Sequence, residues 1–370
     1  MVSMIRAAVL VDDRRLEVQE FPRPETGPDD GLLRVEASGI CGTDVEQYHG
    51  AARSLGQPYP AVLGHEPVGI VEEVGEVAAR RWEVQPGDRV AVEPFFPCGR
   101  CEACRDGRYS ACSGRPSLYS FVATGVPPSL WGGHAEYLYL HPNSILHKLS
   151  PDLPADLAVL FNPLGAGVAW AVQVPGTGLG DVVVVLGAGQ RGLCCVVALR
   201  AAGAGTIVVT DLAAAEDKLR LARELGADHT IAADREDAVA RVRELTGGRL
   251  ADLVVDVSAY ATRPVTDALE MVRTGGTIVL AGLKGGREVP GFIIDKVVQR
   301  QITLRGVWGV QGPAYKQAIQ IIQSARFPLE RLRTHTFALD EAEIAIRTLA
   351  REAPDSEGAV HVVIRPGYAD

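Results

Sequence analysis

The chain has 370 residues, 47% of them hydrophobic and 22% charged, with a formal net charge of −9. Its length suggests two domains, and its composition is that of an ordinary globular enzyme. The acidic balance argues against general nucleic-acid binding, and no charge block, low-complexity tract or evident repeat points to a disordered or repetitive protein.

The opening stretch to Val18 has too short an apolar run for a signal peptide, so a cytoplasmic protein is the expectation. Ala7–Val11, Leu16–Gln19 and Leu32–Ser38 read as strands, the first two close enough to pair. The third leads into GICGTDVEQYHG, Gly39 to Gly50. PAVLGHEPVGIVEEVG comes next, a loop and then a strand from Val68. Cys41 and His65 each lie in a glycine-bearing turn, with Thr43, Asp44 and Glu66 adding hydroxyl and carboxylate groups beside them. A lone Cys or His is normally a packing residue, whereas a catalytic zinc needs about three protein ligands and one open position.

After a strand at Arg89–Val92 comes Cys98-x2-Cys101-x2-Cys104-x7-Cys112. Four thiolates on one short loop can close a tetrahedron around zinc, and with every position filled by protein such a zinc is structural. Cys194 and Cys195 sit in an apolar helical segment and read as small buried hydrophobes. Tyr137–Leu140 is strand-like again, so the first part is β-rich and largely antiparallel.

Leu157 to Gly180 carries no formal charge and is long enough to raise a membrane span. Asn162, Pro163, Gln173, Pro175 and five glycines argue against a continuous apolar helix there. A buried connection between domains, and no membrane, is the expectation.

Beyond it, strands alternate with helices. Strands are predicted at Val182–Leu186, Ile207–Asp211, His229–Ile231, Leu253–Asp256, Thr277–Leu280 and Ile302–Leu304, with helices at Glu216–Leu225 and Asp234–Thr246 among those between. Six such strands make a doubly wound parallel α/β sheet. Gly187, Gly189 and Gly192 come after the first strand in the spacing G-x-G-x-x-G, with Gln190 and Arg191 inside the loop. The first glycine allows a tight turn, the second lets backbone approach a pyrophosphate, and the third lets helix and strand pack closely. Asp211 closes the next strand, where a carboxylate accepts hydrogen bonds from an adenosine ribose. No Arg or Lys stands among Leu212 to Ala215, so a 2′-phosphate would meet a carboxylate alone; NAD rather than NADP is expected. The tail is mixed: a helix at Pro313–Ser324, a strand at Thr334–Phe337, a helix at Asp340–Leu349 and a strand at Ala359–Val363.

GICGTD, GHE, GDRVAVEP, the four-cysteine loop, GAGQRG and Asp211 occur in that order. With them the chain resembles the zinc-containing, medium-chain alcohol dehydrogenases, the group that includes sorbitol and threonine dehydrogenases. The resemblance covers essentially the whole chain. It implies a six-stranded Rossmann domain of about 164–306 that binds NAD. The rest, about 1–163 and 307–370, would form a β-rich, GroES-like catalytic domain with a structural-zinc lobe. It implies two zinc ions: a structural one on Cys98, Cys101, Cys104 and Cys112, and a catalytic one on Cys41 and His65 with Glu66 as ligand or close neighbour. It also implies hydride transfer between an alcohol or ketone and NAD, and a homodimer or homotetramer joined along the last strand of the cofactor sheet.

Two positions depart from the family's habit. Asn162 stands where Cys, Glu or Asp is common, and Glu46 where a His is frequent. The first makes Cys41, His65 and Glu66 plus water the expected zinc set, with Asn162 near the water. The second makes Thr43, then Glu46 or His49, the expected proton route, since Glu46 and His49 can share a helix face. A rival reading of Asn162 is an NAD-binding protein with a degenerate catalytic zinc site, acting as a sensor or interaction partner. Tyr48, Phe95, Leu118, Phe121 and Trp131 are candidate pocket walls, suited to an apolar or cyclic secondary alcohol.

Overall fold

The computed structural model describes residues 3–114 and 118–367. They form two compact units, one built from residues up to 162 together with those from 332, the other from 163–331.

In the first unit, β1 (Met4–Asp12) and β2 (Arg15–Pro22) make an antiparallel hairpin, to which β4 (Ala61–Val62) adds along β1. The larger sheet is centred on β3 (Gly31–Ile40) and β5 (Glu66–Val74). Both are rich in Val, Leu and Ile, which suit a pleated, half-buried surface. Around them lie β6 (Arg89–Val92), β7 (Tyr137–Leu140) and β8 (Leu146–Lys148), all antiparallel to their neighbours. Leu33, Val71, Val90, Leu138, Phe96, Tyr119 and Trp131 fill the core against this sheet.

The β3–β5 register brings two distant residues together. Gly39 pairs with Glu66 in an antiparallel ladder. The residue after β3, Cys41, and the residue before β5, His65, therefore emerge at the same end of the sheet, although 24 positions separate them.

The second unit carries β9 (Val182–Leu186), β10 (Thr206–Asp211), β11 (His229–Ala232), β12 (Ala251–Asp256), β13 (Val272–Leu280) and β14 (Thr303–Gly306). They form one parallel sheet in the order β11-β10-β9-β12-β13-β14. The order reverses between β9 and β12, which opens a crevice at the carboxyl ends of the strands. Val184, Val208, Val254 and Ile278 of the central strands join one buried cluster with Val242, Leu269 and Met271 of the covering helices.

The chain then returns to the first unit. There β15 (Arg333–Phe337) runs parallel to β16 (His361–Ile364), and β16 pairs antiparallel with β3. The seven-stranded sheet thus reads β15-β16-β3-β5-β6-β8, with β7 also on β3.

Three expectations need correction. The second unit ends at 331, not 306. The helix Gly312–Gln323 lies against the segment after Asn162: a Cβ on Gly165 would stand 2.6 Å from the Tyr315 ring, and Trp170 Nε1 donates to Gly309 O at 3.1 Å. These contacts hold 307–331 with the helical segment at the start of the second unit. The uncharged stretch also stays helical through Asn162 and Pro163. Short α-helical segments at Ala155–Ala158 and Phe161–Val168 run into a π-helical turn at Ala169–Gln173. Pro163 is tolerated because it stands in the first turn, where its missing N–H removes no internal bond. Residues 155–173 are apolar enough to cross a membrane, yet 72% of that window is buried inside the protein. Last, the helix expected from Asp234 begins only at Ala238, where Asp237 Oδ1 caps it by accepting Val239 N–H and Ala240 N–H, each at 3.0 Å.

Candidate functional site

Cys41 caps the helix Gly42–Tyr48: its Sγ accepts Thr43 N–H at 3.3 Å, and its own N–H donates to Asp44 Oδ2 at 2.9 Å. The helix end thereby fixes the thiol where a negative sulfur is favoured. Cys41 Sγ lies 3.2 Å from His65 Nε2, and His65 Nδ1 lies 3.7 Å from Asp44 Oδ1. Glu66 completes the group: a donor atom from each of Cys41, His65 and Glu66 falls within 4.8 Å of the other two, and all three residues are buried.

Two glycines make the space. A Cβ on Gly39 would stand 2.6 Å from Glu66 Oε2 and 3.0 Å from the His361 ring, so any other residue there would displace that carboxylate. Gly64 turns the chain before His65 at φ +88, and a Cβ there would meet the His134 ring at 2.4 Å. Burial alone would lower the His65 pKa, but Cys41, Asp44 and Glu66 outweigh it and raise it to about 10. Sulfur, nitrogen and oxygen donors converge in a buried pocket with an excess of negative charge. That donor set fits zinc, and a divalent cation supplies the missing positive charge.

The four-cysteine loop is equally well formed. Sγ–Sγ distances are 4.0 Å for Cys98–Cys104, 3.4 Å for Cys101–Cys104 and 4.0 Å for Cys101–Cys112. Zinc–sulfur bonds of about 2.3 Å imply tetrahedral edges of about 3.8 Å, so the thiols fit a zinc ion. Backbone N–H groups of Cys98 and Gly114 donate to Cys112 Sγ at 3.3 Å each, and Cys101 N–H donates to Cys98 Sγ at 3.4 Å. Tyr109 OH donates to Glu93 Oε2 at 2.5 Å, and Glu93 Oε1 lies 2.7 Å from His147 Nε2, which moors the lobe to the sheet. Cys194 and Cys195 are fully buried, and burial pushes the Cys195 thiol up to about 12. They are packing residues.

At the crevice of the parallel sheet, Gly187 turns at φ +106, and a Cβ on Gly192 would lie 1.8 Å from Gly187 O. A Cβ on Gly189 would meet nothing within 4 Å, so this backbone is open to approach. The helix Gln190–Ala202 starts directly after it. Gln190 is buried, and Arg191 lies over the Trp170 ring at 5.8 Å. Asp211 Oδ2 accepts Ala188 N–H and its Oδ1 accepts Leu212 N–H, both at 2.7 Å. The carboxylate is locked against the glycine loop with acceptor capacity left over.

Residues 27–151 match the family described as alcohol dehydrogenase GroES-like domain, and 192–324 the family described as zinc-binding dehydrogenase. The Mycobacterium tuberculosis protein named "Probable alcohol dehydrogenase adh" is 44% identical over 368 residues, 98% of this chain and 99% of that protein. Sorbitol dehydrogenase of Bacillus subtilis is 32% identical over 346 residues, 92% of each chain. The chain belongs to the zinc-containing medium-chain alcohol dehydrogenases. Among solved structures, alcohol dehydrogenase TADH from Thermus sp. ATN1 matches with TM-score 0.82 and 30% identity over 97% of this chain and 99% of that one. A protein of Sinorhizobium meliloti 1021, described as a zinc-binding dehydrogenase bound to NADP, matches with TM-score 0.85 and 28% identity over 98% and 100%. This dehydrogenase therefore carries out zinc-dependent oxidoreduction of a small-molecule alcohol with a nicotinamide cofactor.

Not every expected site residue joins the dehydrogenase's cluster. Thr43 stands in the first turn of the Cys41-capped helix, half-buried, with Glu46 one turn on. His49 is the C-cap of that helix, and eight residues at about 1.5 Å each put it about 12 Å along the axis from Cys41. Its Nε2 lies 3.1 Å from Glu352 Oε1, and Arg14 holds the same carboxylate. The structure thus gives His49 to Glu352 rather than to Glu46. Asn162 is buried at the second position of the helix Phe161–Val168. Tyr48 and Trp131 are core residues, not pocket walls: Tyr48 donates to Glu343 Oε1 at 2.6 Å and Trp131 Nε1 to Val126 O at 2.8 Å.

Sequence reasoning missed His134. It is wholly buried against Gly64. Burial lowers its pKa, opposed by the charge of Asp44. Nothing in GGHAEY signals this, because the contact depends on where β5 begins.

Proposed function

We propose that the chain is an NAD-dependent dehydrogenase of secondary alcohols that carries two zinc ions. Its catalytic metal is held by Cys41, His65 and Glu66, and Cys98, Cys101, Cys104 and Cys112 hold the second. The observation that carries this reading is the convergence of Cys41, His65 and Glu66 in a buried, negatively charged pocket. Metal analysis of the purified protein tests it. Two zinc ions per chain are expected, and one ion, on the cysteine lobe alone, overturns it in favour of the sensor.

When bound, zinc supplies a Lewis acid that polarises the alcohol oxygen, and the nicotinamide supplies the hydride acceptor. The chain's own groups do the rest. Asp44, its Oδ1 3.7 Å from His65 Nδ1, places a negative charge behind the imidazole, whose Nε2 is on the side of Cys41 Sγ. Asn162, buried in the helix Phe161–Val168, would stand near a water completing that site rather than serve as a ligand. Thr43 would accept the proton of the alcohol at its hydroxyl oxygen while passing its own hydroxyl proton on, with Glu46, one turn along the helix, as the next acceptor. Glu46, one turn from Thr43, is the shorter exit, since His49 stands at the far end of the helix. Replacing Thr43 with Val should lower kcat by about 10²–10⁴-fold at unchanged zinc content. Near-wild-type turnover in that variant rules the relay out.

The glycine loop and the N-terminus of the helix Gln190–Ala202 receive the pyrophosphate, and Asp211 receives the ribose hydroxyls. With no Arg or Lys among Leu212–Ala215, a 2′-phosphate faces a carboxylate. The expected kcat/KM with NAD exceeds that with NADP by about 100-fold or more, since such juxtaposed like charges cost several kcal/mol. Equal efficiency with both cofactors contradicts this.

A homo-oligomer completes the reading. β14 is an edge strand, with Ile294 57%, Val298 71% and Trp308 53% exposed near it in the chain. A bare edge beside exposed apolar residues invites pairing with a second copy. Light scattering should give at least a dimer; a monomer at micromolar concentration argues against it.

A further inference from the structure

The loops leaving β12 and β13 carry a buried charge cluster that none of these roles uses. Asp256, the last residue of β12, is fully buried, and the Lys284 side chain is 13% exposed. Lys284 Nζ lies 2.8 Å from Asp256 Oδ2 and donates to Ser258 O at 2.5 Å. Asp256 Oδ1 accepts Ser258 N–H at 3.0 Å and Ser258 Oγ–H at 2.5 Å. The turn Val257–Ser258 is thereby locked against the glycine loop. A Cβ on Gly192 would come 3.3 Å from Val257 Cγ2, and one on Gly187 3.3 Å from Ser258 N. The next loop approaches as closely: a Cβ on Gly282 would lie 2.1 Å from Ser258 O, and Tyr260 N–H donates to Leu283 O at 2.8 Å.

Topology gives this cluster its meaning. The sheet reverses between β9 and β12, with Asp211 at the end of β10 on one side, and Asp256 at the end of β12 and Lys284 beyond β13 on the other. A dinucleotide with its pyrophosphate on the glycine loop and its adenosine ribose at Asp211 extends its other half toward β12 and β13. That half carries the nicotinamide ring, which is cationic when oxidised and neutral when reduced. A fixed charge nearby discriminates between the two forms.

We propose that the Lys284–Asp256 ion pair sets the relative affinity for oxidised and reduced cofactor, Lys284 cancelling a carboxylate that would otherwise hold the oxidised ring. The proposal rests on the nicotinamide-dinucleotide reading above. Burying a lysine and an aspartate together is at best weakly stabilising, so their place at the crevice mouth calls for a reason other than stability.

Titrating NAD+, NADH and ADP-ribose into the zinc-loaded protein by calorimetry tests it. In Lys284→Met a lone carboxylate remains, and the ratio Kd(NADH)/Kd(NAD+) should rise at least about fivefold, with ADP-ribose affinity nearly unchanged. Asp256→Asn leaves a lone ammonium, and the ratio should fall. In the double variant it should return to the wild-type value. Should Lys284→Met fail to fold, Asp256→Asn and the double variant still read the sign. An unmoved ratio, or proportionate loss for all three ligands, overturns the proposal and leaves the pair a structural clip. Wild-type protein that binds none of the three overturns the cofactor reading itself, and this proposal with it.

Discussion

Replacing Cys41 with Ser should lower kcat/KM for alcohol oxidation by about 10³-fold or more and remove one zinc ion per chain, with the fold intact. The sulfur is the soft anionic donor of the buried group, 3.2 Å from His65 Nε2. Without it His65 and Glu66 are left, fewer than the three protein ligands a catalytic zinc needs. Lewis-acid stabilisation amounts to several kcal/mol, and each 1.36 kcal/mol is tenfold in rate. Serine is chosen because Cys41 also caps the helix Gly42–Tyr48. A serine hydroxyl serves the same Thr43 N–H, so the helix start should survive. Metal analysis, steady-state kinetics and thermal melting check the three parts. A variant that keeps two zinc ions and its turnover removes Cys41 from the site.

The second large effect concerns the cysteine lobe. Cys101→Ser should also take one zinc ion, but with the opposite pattern: the lobe melts and cofactor binding persists. Structural zinc in small zinc-finger peptides is worth about 10–16 kcal/mol of apparent binding energy, and this lobe has little else to hold it. Among the described residues of the loop, regular structure amounts to the short helix Glu102–Arg105 and a 3₁₀ turn at Tyr109–Ala111. Tyr109 on Glu93 keeps the lobe tethered, so the loss should be local unfolding rather than release of the whole sheet. Hydrogen exchange over residues 97–114 should approach that of an open chain, while β9 to β13 stay protected. Unchanged protection of the lobe in Cys101→Ser means that the four thiols do not depend on a metal.

These two variants sit on opposite sides of what the sequence could say. The cysteine lobe was legible because its four ligands fall within 15 consecutive residues, and spacing alone places them together. The glycine loop was legible for the same reason: the turn, the open backbone at Gly189 and the close pack at Gly192 are all local. The six parallel strands announced themselves as short β-branched runs between helices. Residues far apart in sequence were another matter. Cys41 meets His65 because Gly39 pairs with Glu66, and a strand register is a property of two strands, not of either sequence alone. His49 has Glu46 within its own helix, yet its partner is Glu352, brought there when β16 returns to β3. The helix Gly312–Gln323 read as part of the tail, and tertiary contacts such as Tyr315 on Gly165 and Trp170 on Gly309 place it in the second unit. Lys284 and Asp256 carried no motif at all; they meet because β12 and β13 are parallel neighbours ending side by side, with Asp256 at the end of β12 and Lys284 on the loop after β13. Local spacing determined the metal and cofactor chemistry, while strand pairing, which acts across long loops, decided which distant side chains complete each site.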